Sequence, residues 1–179
     1  MSFDPGKPAT NSPLSSLEMR DQLNALKALI DAQAVTTGRV VADWTSSLAS
    51  FSDVGGLAFA MAAGENWSAE IVLYAIGGPG GQGLKFRVSG PGAASVMVAI
   101  QGTGSSGSTG MECEVQTAFS VAAPTKTFCL GASLPGVVRV HVVIANASAG
   151  TVQLQAASSS AGSAATIKMN SDLVARRVG

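Results

Sequence analysis

Val138-Arg139-Val140-His141-Val142-Val143-Ile144 decides the architecture. In an extended chain Val138, Val140, Val142 and Ile144 fall on one side and Arg139 and His141 on the other, the signature of a strand buried on one face. The same period of two recurs on both sides of this stretch. It is seen in Leu57-Phe59-Met61, in Trp67 to Ile76, in Leu84-Phe86-Val88 with Lys85 and Arg87 opposite, and in Val96-Val98-Ile100. It continues in Met111 to Ala118, Thr127 to Leu130, Val152-Leu154-Ala156, Thr166 to Met169 and Leu173 to Val178. With Arg39 to Ser46 included, the pattern predicts about ten short strands punctuated by Gly, Pro, Ser and Asn. No helical stretch follows Gly38, so parallel βαβ folds, which need crossover helices, are excluded. The expected fold class is mainly β, an antiparallel β-sandwich of jelly-roll-like type. Aromatic residues make up only 5% of the chain, so part of the core is expected to be completed by a neighbouring subunit.

Upstream the pattern changes twice. Residues 1–14 are rich in Pro, Gly, Ser and Asn, with no helical or strand period, and read as an extended arm held by a partner surface. A helix is expected over 15–37. Ser15 is a good N-cap, Glu18 completes a capping box, and Leu14 is placed to staple onto Met19. Met19, Leu23, Leu26 and Ile30 recur at spacings of four, three and four, which puts them on one stripe. That stripe is too short for a free-standing coiled coil. It packs either on its own domain or on other chains. The β-sandwich is assigned to 38–179.

Charged residues are 12% of the chain, about half the usual share. A surface built largely of Ser, Thr, Gly, Ala and Gln suits assembly. Lys plus Arg and Asp plus Glu balance at 11 each, and the basic residues are scattered, which argues against a nucleic-acid partner. No apolar run is long enough for a membrane span, and no signal peptide is expected. Cys113 and Cys129 lie in expected strands and are read chiefly as free thiols. With one histidine in the chain, no metal and no cofactor are expected.

The strings that resemble chemical motifs are weak. Gly78 to Gly83 and Gly102 to Gly107 both spell G-x-G-x-x-G, but strands follow them where a phosphate site needs a helix N-terminus. They read as hairpin loops whose glycines supply positive φ. His141 has no G-x-S-x-G turn to serve. Glu112 and Glu114 share one face of one strand and read as neighbouring exposed acids, available to Arg176 or Arg177 across subunits. No catalytic residue is assigned and no enzyme activity is expected.

The stretch Pro13-Leu14-Ser15-Ser16-Leu17-Glu18-Met19-Arg20-Asp21-Gln22-Leu23-Asn24-Ala25-Leu26-Lys27-Ala28-Leu29-Ile30-Asp31 resembles an N-terminal module of small virion proteins of tailed bacteriophages. Ala63-Gly64-Glu65-Asn66-Trp67, Lys85-Phe86 before Gly90-Pro91-Gly92-Ala93, Gly150 to Gln155, and Leu173-Val174-Ala175-Arg176-Arg177 resemble the β-sandwich heads of phage head-fibre, decoration and tail-fibre-like proteins. Ala156 stands where related heads carry a second tryptophan. The resemblance implies a capsid decoration (cement) or head-fibre protein, trimeric, on the capsid surface of a virion assembled in the host cytoplasm. Its implied partners are its own copies and the major capsid protein, with Phe3, Leu14, Met19, Leu23, Leu26 and Ile30 as contact residues. The alternative is a tail-fibre or receptor-binding head that recognises a host surface glycan through the loops at Gly77 to Gly83 and Gly102 to Gly110.

Overall fold

The computed structural model describes residues 15–32, 35–104, 110–129, 131 and 135–178. The chain divides into two compact units, one containing the helix and the other spanning Val35–Val178. The expected arm, with Phe3 and Leu14, lies outside the described residues.

Helix α1 spans Ser16–Ala32. Its first turn is fixed as the sequence predicts: the Glu18 amide donates to Ser15 Oγ at 3.1 Å, and the Ser15 amide donates back to Glu18 Oε2 at 3.0 Å. The helix is shorter than the expected 15–37, because Val35–Arg39 forms strand β1. The β-branched run Val35-Thr36-Thr37 favours the extended chain, and all of β1 pairs in antiparallel register with β11 (Asp172–Arg177).

Between them lie β2 (Trp44–Ser46), β3 (Ser52–Met61), β4 (Trp67–Ile76), β5 (Leu84–Ser89), β6 (Ala93–Thr103), β7 (Met111–Gln116), β8 (Gly136–Ala147), β9 (Gly150–Ser158) and β10 (Ala165–Ile167). One sheet runs β1-β11-β4-β8-β6-β7, with β10 and β2 attached beside β4, and the other runs β3-β9-β5. All pairings are antiparallel, and the two layers make the expected sandwich. The chain alternates between layers, as a jelly roll does, so consecutive strands seldom pair.

The alternation read from the sequence is the burial pattern observed. Ile71, Leu73, Val138, Val140, Val142, Ile144 and Leu173 of the larger sheet face Leu57, Phe59, Phe86, Val88 and Leu154 of the smaller, all buried. Each such side chain removed from water contributes about 1.5–3 kcal/mol. Aromatic pairs Phe59–Trp67 and Phe86–Phe128, with ring centroids at 5.2 and 6.0 Å, fill the interior. Ala156, fully buried, lies opposite Phe86 in the β5–β9 register.

Two expected strands are corrected. The stretch Arg39 to Ser46 is not one strand, because residues 40–43 leave the sheet to grip the turn before β11. The Val40 amide donates to the Ser171 carbonyl, and Asp43 accepts the Met169 amide at 2.9 Å. Thr127 to Cys129 makes only a single bridge, Phe128 with Leu84, since Cys129 adopts φ 57° and leaves the extended region.

Strand β3 slips register between Asp53 and Ala58. Gly56 there has φ 84°, and a Cβ on it meets the Arg39 carbonyl oxygen, whereas a Cβ on Gly55 meets nothing within 4 Å. Gly56→Ala is expected to lower the unfolding free energy by more than about 2 kcal/mol and Gly55→Ala to change it by under about 0.5 kcal/mol, measured by urea denaturation.

Candidate functional site

On α1 the 3.6-residue repeat places Met19, Leu23, Leu26 and Ile30 along one stripe, and all four are exposed, at 51, 59, 42 and 64%. Leu17 and Leu29 are also more than half exposed. A helix so apolar on its surface is unusual for a chain alone in water, because isolated helices of this length are marginal and take their stability from covering such a stripe.

The outer face of the larger sheet is a second open surface. Tyr74 on β4, Val137 and Val143 on β8, Met97 on β6, and Met111 and Val115 on β7 all stand exposed on it. The registers place them in two groups: Met97 opposite Val143 with Val115 opposite Ala99, and, six residues along β8, Val137 opposite Tyr74, with Glu70, Arg139 and His141 exposed between them. Sequence alternation assigned the polar side of β8 to Arg139 and His141 without noticing that Val137 and Val143 share it. The signal was present in the same stretch, where two valines occupy outward positions.

The chemical candidates resolve as follows. His141 lies on the outer face beside Arg139, with Nε2 3.2 Å from Ser68 Oγ and Glu70 directly opposite in register. This has the composition of a Ser-His-Glu relay without its geometry, since Glu70 contacts Arg139 at 4.0 Å and no carboxylate bonds to the ring among the described residues. Glu112 and Glu114 do share a face, but it is the inner one, a correction to the expectation of exposed acids. Glu114 is buried and accepts the Thr125 and Lys126 amides at 3.0 and 3.1 Å, and Glu112 pairs with Lys126 at 2.9 Å. Of the arginines suggested for them, Arg177 instead meets Glu65 at 3.2 Å.

Cys113 is exposed, Cys129 is buried, and both are free thiols. Burial pushes the Cys129 thiol above its ordinary value. Among the described residues there is no cluster of three potential metal ligands, and no helix is long and apolar enough to cross a membrane. The first glycine string forms a short turn, Pro79–Gly81, with positive φ at Gly80 and Gly81, and β5 follows it. In the second, residues 105–109 lie outside the described residues. Gly102 has no positive φ: it sits inside β6, where a Cβ meets Val138 at 2.8 Å, so close packing demands it.

Glu65 is a polar anchor that the sequence reading passed over. Its Oε2 accepts the Trp67 indole N–H at 2.9 Å and the Ala62 amide at 2.8 Å. The Trp67 hydrogen bond first, then the Ala62 amide, with Arg177 assisting, holds the carboxyl below its usual 4.5. Its stabilisation is therefore complete above pH 4.5 and is lost as pH falls through the lower folded value. Glu65→Gln is expected to destabilise the sandwich by about 1–2 kcal/mol at neutral pH. In thermal melts the gap between the two proteins should close as pH drops below 4.5.

No protein-family model matches the chain, and no curated protein does. Among solved structures it is similar to a chain in the structure of infectious bursal disease virus Gt strain, at 11% identity and a TM-score of 0.23. The match covers 83% of this chain and 38% of that one. A TM-score of 0.23 is too low to establish a common fold.

Proposed function

We propose that this chain is a structural protein of a tailed bacteriophage particle, a capsid decoration (cement) or head-fibre protein without catalytic activity. It binds major capsid subunits through its N-terminal arm and helix, assembles as a homotrimer, and sits on the virion surface after assembly in the host cytoplasm. The observation that carries this reading is the exposed stripe Met19, Leu23, Leu26 and Ile30 on a capped helix that belongs to a compact unit of its own. The resemblance of residues 13–31 to phage virion modules supports it, as do the low charge content and the exposed apolar residues Met97, Val143 and Val115 on the outer sheet face. The work of such a protein is mechanical. Repetition of one weak contact in three linked copies multiplies its strength through effective concentration.

Replacing Leu23 and Leu26 together by Asp is expected to turn the oligomer into monomers in sedimentation at micromolar concentration and to abolish attachment to expanded, empty heads. The sandwich should keep its thermal transition. A variant that stays oligomeric and still decorates heads refutes the role of the stripe. A chain lacking residues 2–13 is expected to remain oligomeric and to lose head binding, and unchanged affinity refutes the role of the arm and of Phe3. Antibody labelling of intact particles is expected over the head shell, and label at the tail tip supports the receptor-binding alternative instead.

A further inference from the structure

The sandwich has a seam where its two layers are joined by the segment between β7 and β8. Phe128 in that segment pairs with Leu84, the first residue of β5, through reciprocal backbone hydrogen bonds of 2.9 Å. A cleft of about 440 Å³ lies along this seam, within the size range of small-ligand sites. Its walls come from both layers. Lys85, Gln82 and Ser159 contribute from the side of the smaller sheet, Glu112 from β7 of the larger one, and Lys126 with its flanking threonines from the joining segment.

Every lining residue is polar, and part of the wall is fixed in place. Ser159 Oγ accepts the Gly83 amide at 3.0 Å and donates to Gln82 Oε1 at 3.0 Å. This hydrogen bonding orients the Gln82 side chain and leaves its amide N–H groups without a partner among the described residues. Lys126 is held by Glu112, whose hydrogen bond and charge raise the lysine's pKa. Lys85, half-buried on β5, has no carboxylate partner among the described residues, and the Thr125 and Thr127 hydroxyls have no hydrogen-bond partner there either. Lys126 is answered by Glu112 at 2.9 Å and by the charge of the buried Glu114, whose carboxylate accepts the Lys126 amide, so Lys85 is the lining cation that no described carboxylate contacts. The cleft thus offers several free donors, a single cation and no apolar or aromatic platform. That chemistry suits a small anion covered in hydroxyl groups and offers little to an apolar or a cationic ligand.

We infer that the seam cleft binds the carboxylated unit of an acidic glycan, its carboxylate on Lys85 and its hydroxyls on Gln82, Thr125, Thr127 and the Glu112 carboxylate. This site takes in the end of the Gly77 to Gly83 loop, through Gln82, but most of its wall comes from β5, β7 and the β7–β8 segment, and it is independent of how the chain attaches to a particle. A head-bound and a tail-bound protein would both carry it.

The test is titration of the full chain with sodium glucuronate, glucose, sodium acetate and inorganic phosphate, followed by amide NMR shifts and calorimetry. Glucuronate is expected to move the amides of residues 82–85, 125–127 and 159. It should bind at least about tenfold more tightly than glucose or acetate, because only it engages both the lysine and the hydroxyl-binding groups. Lys85→Gln should remove at least about tenfold of that affinity, while Arg139→Gln, on the outer face of the other sheet, leaves it unchanged. Unchanged thermal midpoints verify that both variants are folded. Equal binding of glucuronate and phosphate marks a plain anion site and overturns the sugar assignment. Shifts outside the seam, no binding, or full affinity in Lys85→Gln overturns the site. None of these outcomes bears on head attachment, which is measured separately.

Discussion

Everything in the Val35–Val178 unit depends on two apolar sheet faces covering one another, and neither face is contiguous in sequence. The chain passes from the larger sheet to the smaller at β3, returns at β4, crosses again at β5 and returns at β6, then repeats the excursion through β9. Half of the interior therefore cannot form before the other half. Phe59 on β3 stacks against Trp67 on β4 across the layers, and Glu65 in the connection between these strands binds the Trp67 indole and Arg177 near the end of β11. One short connection in this way ties an early strand to the last one. Such long sequence separations make closure entropically expensive and folding slow, but they leave few places where a part can open alone.

The joint between the layers is polar where the rest of the interior is apolar. Glu114 and Gln116 face inward from β7, at the edge of the larger sheet. Removing a carboxylate from water costs several kcal/mol, and the two backbone amides it accepts, each worth about 1.5–3 kcal/mol to a charged group, offset that. Gln116 donates to the Phe86 carbonyl at 3.0 Å, while its Oε1 has no partner among the described residues. The Glu114 bonds hold the β7–β8 segment to β7, Gln116 ties β7 to β5, and the Phe128–Leu84 bridge fixes the segment on β5 without a strand. They account for the local failure of the alternation rule: Thr127 to Cys129 has a strand-like composition but is held by one bridge to Leu84 and by the Cys129 amide on the Thr103 carbonyl, not by a ladder.

The strands of the core were legible because burial on one face imposes a period of two, and the helix was legible because Ser15 and Glu18 satisfy its first turn. Pairing order was not legible, since Val35 finds Arg176 and Phe59 finds Val152 through layer-level packing that no local pattern encodes. The start of β1 was misplaced because Gly38, read as punctuation, is instead a position where β1 runs hard against the Gly56 carbonyl oxygen. Of the candidate contact residues, the four helix positions lie exposed on the one stripe that periodicity predicts, and Phe3 and Leu14 lie outside the described residues. The seam cleft was invisible to sequence reading, for its residues come from distant segments and spell no motif.

The size of the helix stripe limits what it can do by itself. Its four main side chains are each roughly half exposed, so covering them yields about half of the 1.5–3 kcal/mol expected per residue, or about 3–6 kcal/mol per copy. Bringing two chains together costs an estimated 4 to 15 kcal/mol in lost rigid-body freedom. Two stripes covering one another yield about 6–12 kcal/mol per pair, still close to break-even against that cost, and a stable assembly would need a further contact. The apolar positions on the outer sheet face, Met97 with Val143 and Val115 with Ala99, supply a surface of the right character. Low charge favours the proposed assembly twice: little ionic repulsion would oppose the approach of copies, and few charged groups would be stripped of water on contact.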